Sequence, residues 1–275
     1  FVTGHSNSLS LQGRGLEDRH ILPISVMGSH LLTVEELDLA HNPKLTHHSL
    51  TPLFSNFVAG ARLGTLRLSG CTHLGHHVID EIVSLVGSSL ALLSTLDLAQ
   101  VRLSASAHLN LAKAIGSHPS LETVVLSDTG LGHAVGGPEQ TRAVLTELLR
   151  GPCLETLDLG WSRLTESTFG HLGQCLSTSN LSTLLVPCCA TSSSFLRGSS
   201  VEFFLEFLGE ASSLTRLDIS LNTIDWKSAL VLEDAVETHP DFRELVASNN
   251  PLGAQGLRSL LRLLARDENG LVRLE

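Results

Sequence analysis

Tyrosine is absent from the 275 residues, methionine occurs once, and aromatic side chains make up only 4% of the chain. So few rings exclude a single large core organised around aromatic packing. Long apolar runs are also missing: no stretch reaches the roughly 18 residues that a membrane-spanning helix needs, so no membrane association is expected. Positive charge is scarce, with 18 Lys and Arg against 28 Asp and Glu and a net charge of -10. That balance speaks against nucleic acid as the main ligand, because phosphate binding requires a clustered basic surface. Cysteine is sparse too. The five thiols, two of them adjacent at Cys188 and Cys189, form neither a disulfide framework nor a zinc spacing. A reducing, cytoplasmic compartment follows as the expectation. The first residues, Phe1-Val2-Thr3-Gly4-His5, carry no secretory pattern and no initiator methionine, so a fragment of a longer chain is expected.

What the chain has in abundance is leucine, 56 residues by count. One branched side chain used this often is the mark of a repeat array, and self-similarity confirms it. Val34-Glu35-Glu36-Leu37-Asp38-Leu39 is echoed at starts 63, 93, 121, 154, 181, 214, 242 and 271, a period of about thirty held through nine registers. Each copy reads L-x-x-L-x-L with conservative exchanges. A step of 28 back from Val34 reaches Ser6 and puts Leu9 and Leu11 in the same columns, which adds a degenerate front repeat. The expected organisation is one domain, 1–275, of nine to ten repeats. Between the signatures lie segments of helical period, such as Val78, Ile79, Ile82, Val83 and Val86, or Val144, Leu145, Leu148 and Leu149, or Leu257, Leu260, Leu261 and Leu264. Pro138 and Pro52 are both expected in a first helical turn, where a missing N–H costs nothing.

These features resemble the leucine-rich-repeat family, with its pattern L-x-x-L-x-L-x-x-N/C-x-L. Position nine holds Asn42, Cys71, Val101, Thr129, Ser162, Cys189, Asn222 and Asn250. The departures at Val101, Thr129 and Ser162 should leave the usual inward ladder incomplete in mid-array. Repeat length and helical segments are similar to the ribonuclease-inhibitor-like subclass. The resemblance implies an α/β fold, a right-handed βα solenoid (leucine-rich-repeat horseshoe) with parallel strands on its concave face and helices on its convex face.

Fourteen histidines invite a metal reading. His47-His48 and His76-His77 recur at one offset in adjacent repeats, with His41 and His73 nearby, which would suit zinc if the imidazoles converged. Helices about 8–10 Å apart are wide for four ligands of one ion, so the favoured reading is a solvated loop edge and no metal. Ser127, Asp128 and His133 lack a nucleophile elbow, and Gly130, Gly132, Gly136 and Gly137 lack the Lys-Ser/Thr of a phosphate loop. No catalytic residue and no cofactor is expected. Cys71 and Cys189 fall on the ladder and read as buried structural thiols.

Violations of the repeat are more telling. Two repeats are lengthened to 33 residues, in Gly130 to Pro138 and in the serine-rich Ala190 to Ser200, and both insertions should leave the C-terminal edge of the strands. Outward column five runs through Asp38, Arg67, Asp97, Val125, Asp158, Leu185, Asp218 and Val246, and column three includes Arg216. Column eight passes from Asp128 to Trp161, Cys188 and Leu221, an apolar strip at the strand ends. The residues expected to bind a protein partner are therefore Trp161, Leu185, Leu221, Asp158, Asp218, Asp97, Val125 and Arg216. The function expected is a non-enzymatic protein-interaction module. The alternatives are a GTPase activator of the Ran-activating type, whose acidic C-terminal tail is not seen here, and a structural scaffold component of a large assembly.

Overall fold

A computed structural model of the chain describes residues 7–26, 33–56, 62–133, 137–191, 199–239, 241–265 and 271–275. The chain forms two compact units, residues 1–130 with 151–154, and residues 131–150 with 155–275.

The first unit alternates strand and helix: β1 (Ser8–Ser10), α1 (Asp18–Val26), β2 (Glu36–Asp38), α2 (His47–Asn56), β3 (Thr65–Arg67), α3 (His76–Ser88), β4 (Thr95–Asp97), α4 (Ala105–Gly116) and β5 (Thr123–Val125). The second continues with α5 (Gly137–Leu148), β6 (Thr156–Asp158), α6 (Glu166–Leu176), β7 (Thr183–Leu185), α7 (Glu202–Leu205), β8 (Arg216–Asp218), α8 (Trp226–Thr238), β9 (Glu244–Val246), α9 (Gly253–Ala265) and β10 (Arg273–Leu274). Within each unit successive strands pair in parallel and in sequence order, with the repeat columns in register: Leu9 opposite Leu37, Leu37 opposite Leu66, Leu157 opposite Leu184. Parallel strands joined through helices form a right-handed βα solenoid.

The periodicity acts here as physics. The central strand residue points into the core from β2 to β9, so Leu37, Leu66, Leu96, Val124, Leu157, Leu184, Leu217 and Leu245 are at most 1% exposed. Residues on either side alternate outward, as the pleat requires. No single repeat could bury these leucines alone; each depends on its neighbours. Repeat-to-repeat polar ties add to the stacking. Asp18, at the start of α1, accepts hydrogen bonds from the Thr46 N–H, the Thr46 hydroxyl and the Ser49 hydroxyl, and so caps α2 from the preceding repeat. Glu202 accepts a hydrogen bond from the Ser228 hydroxyl of α8, a helix capped by its own Asp225.

Position nine forms the inward ladder. Asn222 donates to the Val186 and Ser220 carbonyls and accepts from the Cys189 and Ala190 N–H groups, all at 2.8–3.1 Å. Cys71 and Cys189 donate their thiols to the Leu39 and Leu159 carbonyls, and burial pushes them up to about 11 and about 12. Unreactive structural thiols are the result. Thr129 departs less than expected: its hydroxyl reaches the Leu126 carbonyl at 2.9 Å and so keeps a ladder bond. The departures at Val101 and Ser162 do interrupt the ladder: both are fully buried, valine has no polar atom to offer, and the Ser162 hydroxyl finds no partner among the described residues.

Three expectations need correction. Pro52 lies at the sixth position of α2, not in its first turn, where it removes the bond to the His48 carbonyl. Pro138 is the second residue of α5, as the first-turn rule requires. The four leucines expected to form the apolar face of α9 do not share a buried side: Leu260 is buried together with Leu263, whereas Leu257, Leu261 and Leu264 are 50%, 48% and 44% exposed. Finally, the repeat holding the serine-rich insertion has only a four-residue helix, α7.

Candidate interaction site

Position eight of the repeat, at the strand ends, adopts a left-handed backbone in every described case: Gly13, His41, Gly70, Gln100, Asp128, Trp161, Cys188, Leu221 and Asn249 all have φ between 53° and 71°. The cause is the backbone ladder. The N–H of this residue donates to the position-seven carbonyl of the next repeat, as Trp161 does to Pro187, Cys188 to Ser220 and Leu221 to Ser248, at 2.9, 2.9 and 3.1 Å. Glycine meets this geometry without strain, as at Gly13 and Gly70. A side chain there costs roughly 1–2 kcal/mol, more surely so for a bulky one.

Trp161 and Leu221 occupy this position with φ of 61° and 59°, and are 54% and 44% exposed. Strain is thus accepted for two large apolar groups that return little of it as burial. Between them sits half-buried Cys188, so the three side chains follow one another along successive strands, spaced about 5 Å apart in the ladder direction.

Column five explains the rest of the strip. Asp38, Asp97, Asp158 and Asp218 each accept a hydrogen bond at 2.8–3.0 Å from the N–H two residues on, of Ala40, Ala99, Gly160 and Ser220. These are Asx turns, and they give the aspartates a local structural role beside any contact with a partner. In the repeat of Leu185 the residue two on is Pro187, which has no N–H to offer, so an apolar residue can replace the aspartate at no cost to the turn. Pro187 also explains Gly160: a Cβ there would stand 3.1 Å from the proline Cγ and 3.2 Å from the Asp158 carboxylate. Leu185, Pro187 and Gly160 together make the apolar floor beside Trp161.

Within the second unit the structure therefore brings together Trp161, Leu185, Leu221, Asp158 and Asp218, with the register Asp158–Leu185–Asp218 running straight across β6 to β8. Arg216 lies on the same open strand face, exposed and ion-paired with Glu244 at 3.4 Å. Asp97 and Val125 are partners in register on β4 and β5 of the first unit. Cys188 was read as part of the apolar strip, but Pro187 and Gly160 were not anticipated as site residues, although proline two residues after a leucine where the other repeats carry aspartate is a signal the sequence holds. Of the two long insertions, residues 134–136 and 192–198 lie outside the described residues.

Other candidate chemistry is dispersed. His47 and His48 stand with ring centroids 4.0 Å apart, and His77 is 6.3 Å from His47, in a shallow groove shared with Asp80 and Glu81. His76 does not line that groove, and among the described residues no three His, Cys, Asp or Glu side chains are arranged to hold a metal ion. Asp128 is one of the left-handed residues of position eight. Among the described residues no helix is long and apolar enough to cross a membrane.

No protein-family model matches the chain, and no curated protein does. Solved structures do. A Bacteroides fragilis protein aligns over 95% of this chain with 15% identity and a TM-score of 0.50; the chain spans 62% of that protein. The leucine-rich repeat-containing protein LegL7 of Legionella pneumophila aligns over 93% of this chain and 88% of its own, at 16% identity and a TM-score of 0.48. The tropomodulin C-terminal domain of Caenorhabditis elegans aligns over 60% of this chain and 93% of its own, at 14% identity and a TM-score of 0.44. At such identities the likeness concerns the fold alone. With its L-x-x-L-x-L signature, its parallel strands in register and its inward ladder of asparagine and cysteine, the chain has the leucine-rich-repeat fold.

Proposed function

We propose that this chain is a non-enzymatic interaction module of the ribonuclease-inhibitor-like subclass, and that it takes a protein partner at the strand ends of β6, β7 and β8. The observation that carries the reading is the pair Trp161 and Leu221, each exposed and each held in a backbone conformation that glycine would occupy more cheaply. Tryptophan is among the residue types most often found to dominate a protein interface, and here it stands at one end of an apolar strip. Leu185 and Pro187 would form the floor beneath the partner, and Arg216, Asp158 and Asp218 the polar rim. Asp97 and Val125, on the strand face of the first unit, are proposed as partner-binding residues of that unit in their own right. The unpaired thiols suit a reducing, intracellular setting.

Affinity capture from native lysate tests this reading, with the wild-type chain run beside a Trp161→Ala, Leu221→Ser variant that has passed a circular-dichroism check of folding. A protein retained by the first and lost by the second is the expected result, with a loss of about 2 kcal/mol or more in binding free energy. Equal retention by both chains would move the interface away from the strand ends.

A further inference from the structure

The four-residue helix α7 leaves a groove on the helix side of the second unit, between itself and α6. Two rings line it, Phe203 and Phe207, and glycine on α6 lets them approach. A Cβ at Gly173 would stand 2.8 Å from the Phe207 ring, and one at Gly170 would meet the Phe203 Cβ at 3.7 Å. The groove has a volume of about 460 Å³, within the range of roughly 300–1,000 Å³ typical of ligand clefts. Phe203 is 43% exposed, although its repeat has core to offer: Phe204 and Leu205 beside it are fully buried.

The polar groups of the groove carry a definite sign. Glu166 of α6 and Glu206, which follows α7, both line it, and neither has an ion-pair partner among the described residues. The cation of the groove, Arg142, is already paired with Glu139 one turn before it on α5. His171 is engaged as well, its Nε2 2.8 Å from the Thr146 hydroxyl and 3.5 Å from the Cys175 thiol. What stays open is a pair of carboxylates beside a pair of phenyl rings, in a chain of net charge -10.

That combination selects its occupant. An anion is repelled, and a purely apolar group would strip water from two carboxylates without replacing it. A cation satisfies both features, because the face of an aromatic ring and a carboxylate each attract positive charge. The chain uses this chemistry once already, with the Lys227 ammonium 5.7 Å from the Trp226 ring, whereas Phe203 has no such cation of its own among the described residues. Of the two basic side chains, arginine has the planar head that stacks on a ring while its N–H groups reach a carboxylate. We infer that the groove takes an arginine side chain of a protein partner, stacked on Phe203 and paired with Glu206, with Glu166 adding to the negative potential. This groove is separate from the strand-end site and does not depend on that reading.

The probe is N-acetyl-arginine amide, titrated into the isotope-labelled full chain up to about 20 mM, with the Gly170 and Gly173 amide resonances as the readout. A saturable shift of both is expected, with a dissociation constant in the millimolar range. N-acetyl-citrulline amide, which has the same shape and no charge, should bind about tenfold more weakly or not at all, a comparison that needs no variant. Phe203→Ala and Glu206→Gln, both at exposed positions, should each raise the dissociation constant about threefold or more with the far-UV circular dichroism unchanged. The Trp161→Ala, Leu221→Ser variant should bind the probe as the wild type does. Absence of a saturable shift at the two glycines, equal binding of the citrulline compound, or indifference to both substitutions would overturn the inference.

Discussion

His108 is 2% exposed, and both its ring nitrogens are engaged, Nδ1 with the Ser104 carbonyl at 3.0 Å and Nε2 with the Thr129 hydroxyl at 3.1 Å. Burial disfavours its charged form and lowers it to about 4, and burial lowers His118 as well. The sign of the effect on stability follows. In the unfolded chain the imidazole takes its proton near pH 6.5, whereas the folded chain refuses it until about pH 4. Stability from this residue is thus complete above pH 6.5 and lost as pH falls from there towards 4. The loss is on the order of 3 kcal/mol. Denaturant unfolding at pH 7 and pH 4.5 should show a clearly smaller decline in a His108→Phe variant than in the wild type; parallel declines would contradict the assignment. Two other histidines do similar structural work: His118 Nε2 reaches the Leu90 carbonyl at 3.0 Å and His239 Nε2 the Ala211 carbonyl at 2.8 Å, each stitching one repeat to the one before. A high histidine count therefore says little about chemistry until the partners of each ring are known.

The repeat is the element of this fold, and the ladder at position nine is what joins one to the next. Asn222 satisfies four backbone groups at once, spread over two repeats. Asn222→Ala would leave them buried without partners, and a loss of about 3 kcal/mol or more is expected, measured as a shift in denaturant midpoint. A loss under about 1 kcal/mol would mean that the turns hold themselves. Strands, their register and the ladder were legible in the sequence because the period repeats them, so an error in one repeat is corrected by the others. The left-handed residue at position eight was not legible. Its occupants are Gly, His, Gln, Asp, Trp, Cys, Leu and Asn, because the hydrogen bond to the next repeat sets the conformation, not the side chain. The column-five aspartates were legible as outward residues but not as Asx acceptors, a role visible only once the N–H two residues on is placed. The exposed face of α9 escaped for a simpler reason: leucine lies on both sides of that helix, and counting apolar residues cannot tell the inner side from the outer.

For the molecule as a whole, a solenoid spends its leucines on neighbour contacts and leaves its surfaces free to vary. One surface varies in a directed way: the strand ends of β6 to β8, where apolar groups displace glycine-compatible and aspartate-bearing positions. It carries the proposed function, and its strain gives the sharpest test. Replacing Trp161 and Leu221 by glycine relieves two left-handed residues and removes little burial, so it should leave the unfolding midpoint unchanged or raise it, by roughly 1 kcal/mol per site in stability. Binding should be lost all the same. The measurement is the retention of the captured partner by the Trp161→Gly, Leu221→Gly chain, with its thermal midpoint recorded on the same sample. A chain at least as stable as the wild type that no longer retains the partner is the predicted result. A chain that retains it fully, or one that loses several degrees of stability, would contradict the assignment of these two residues to binding.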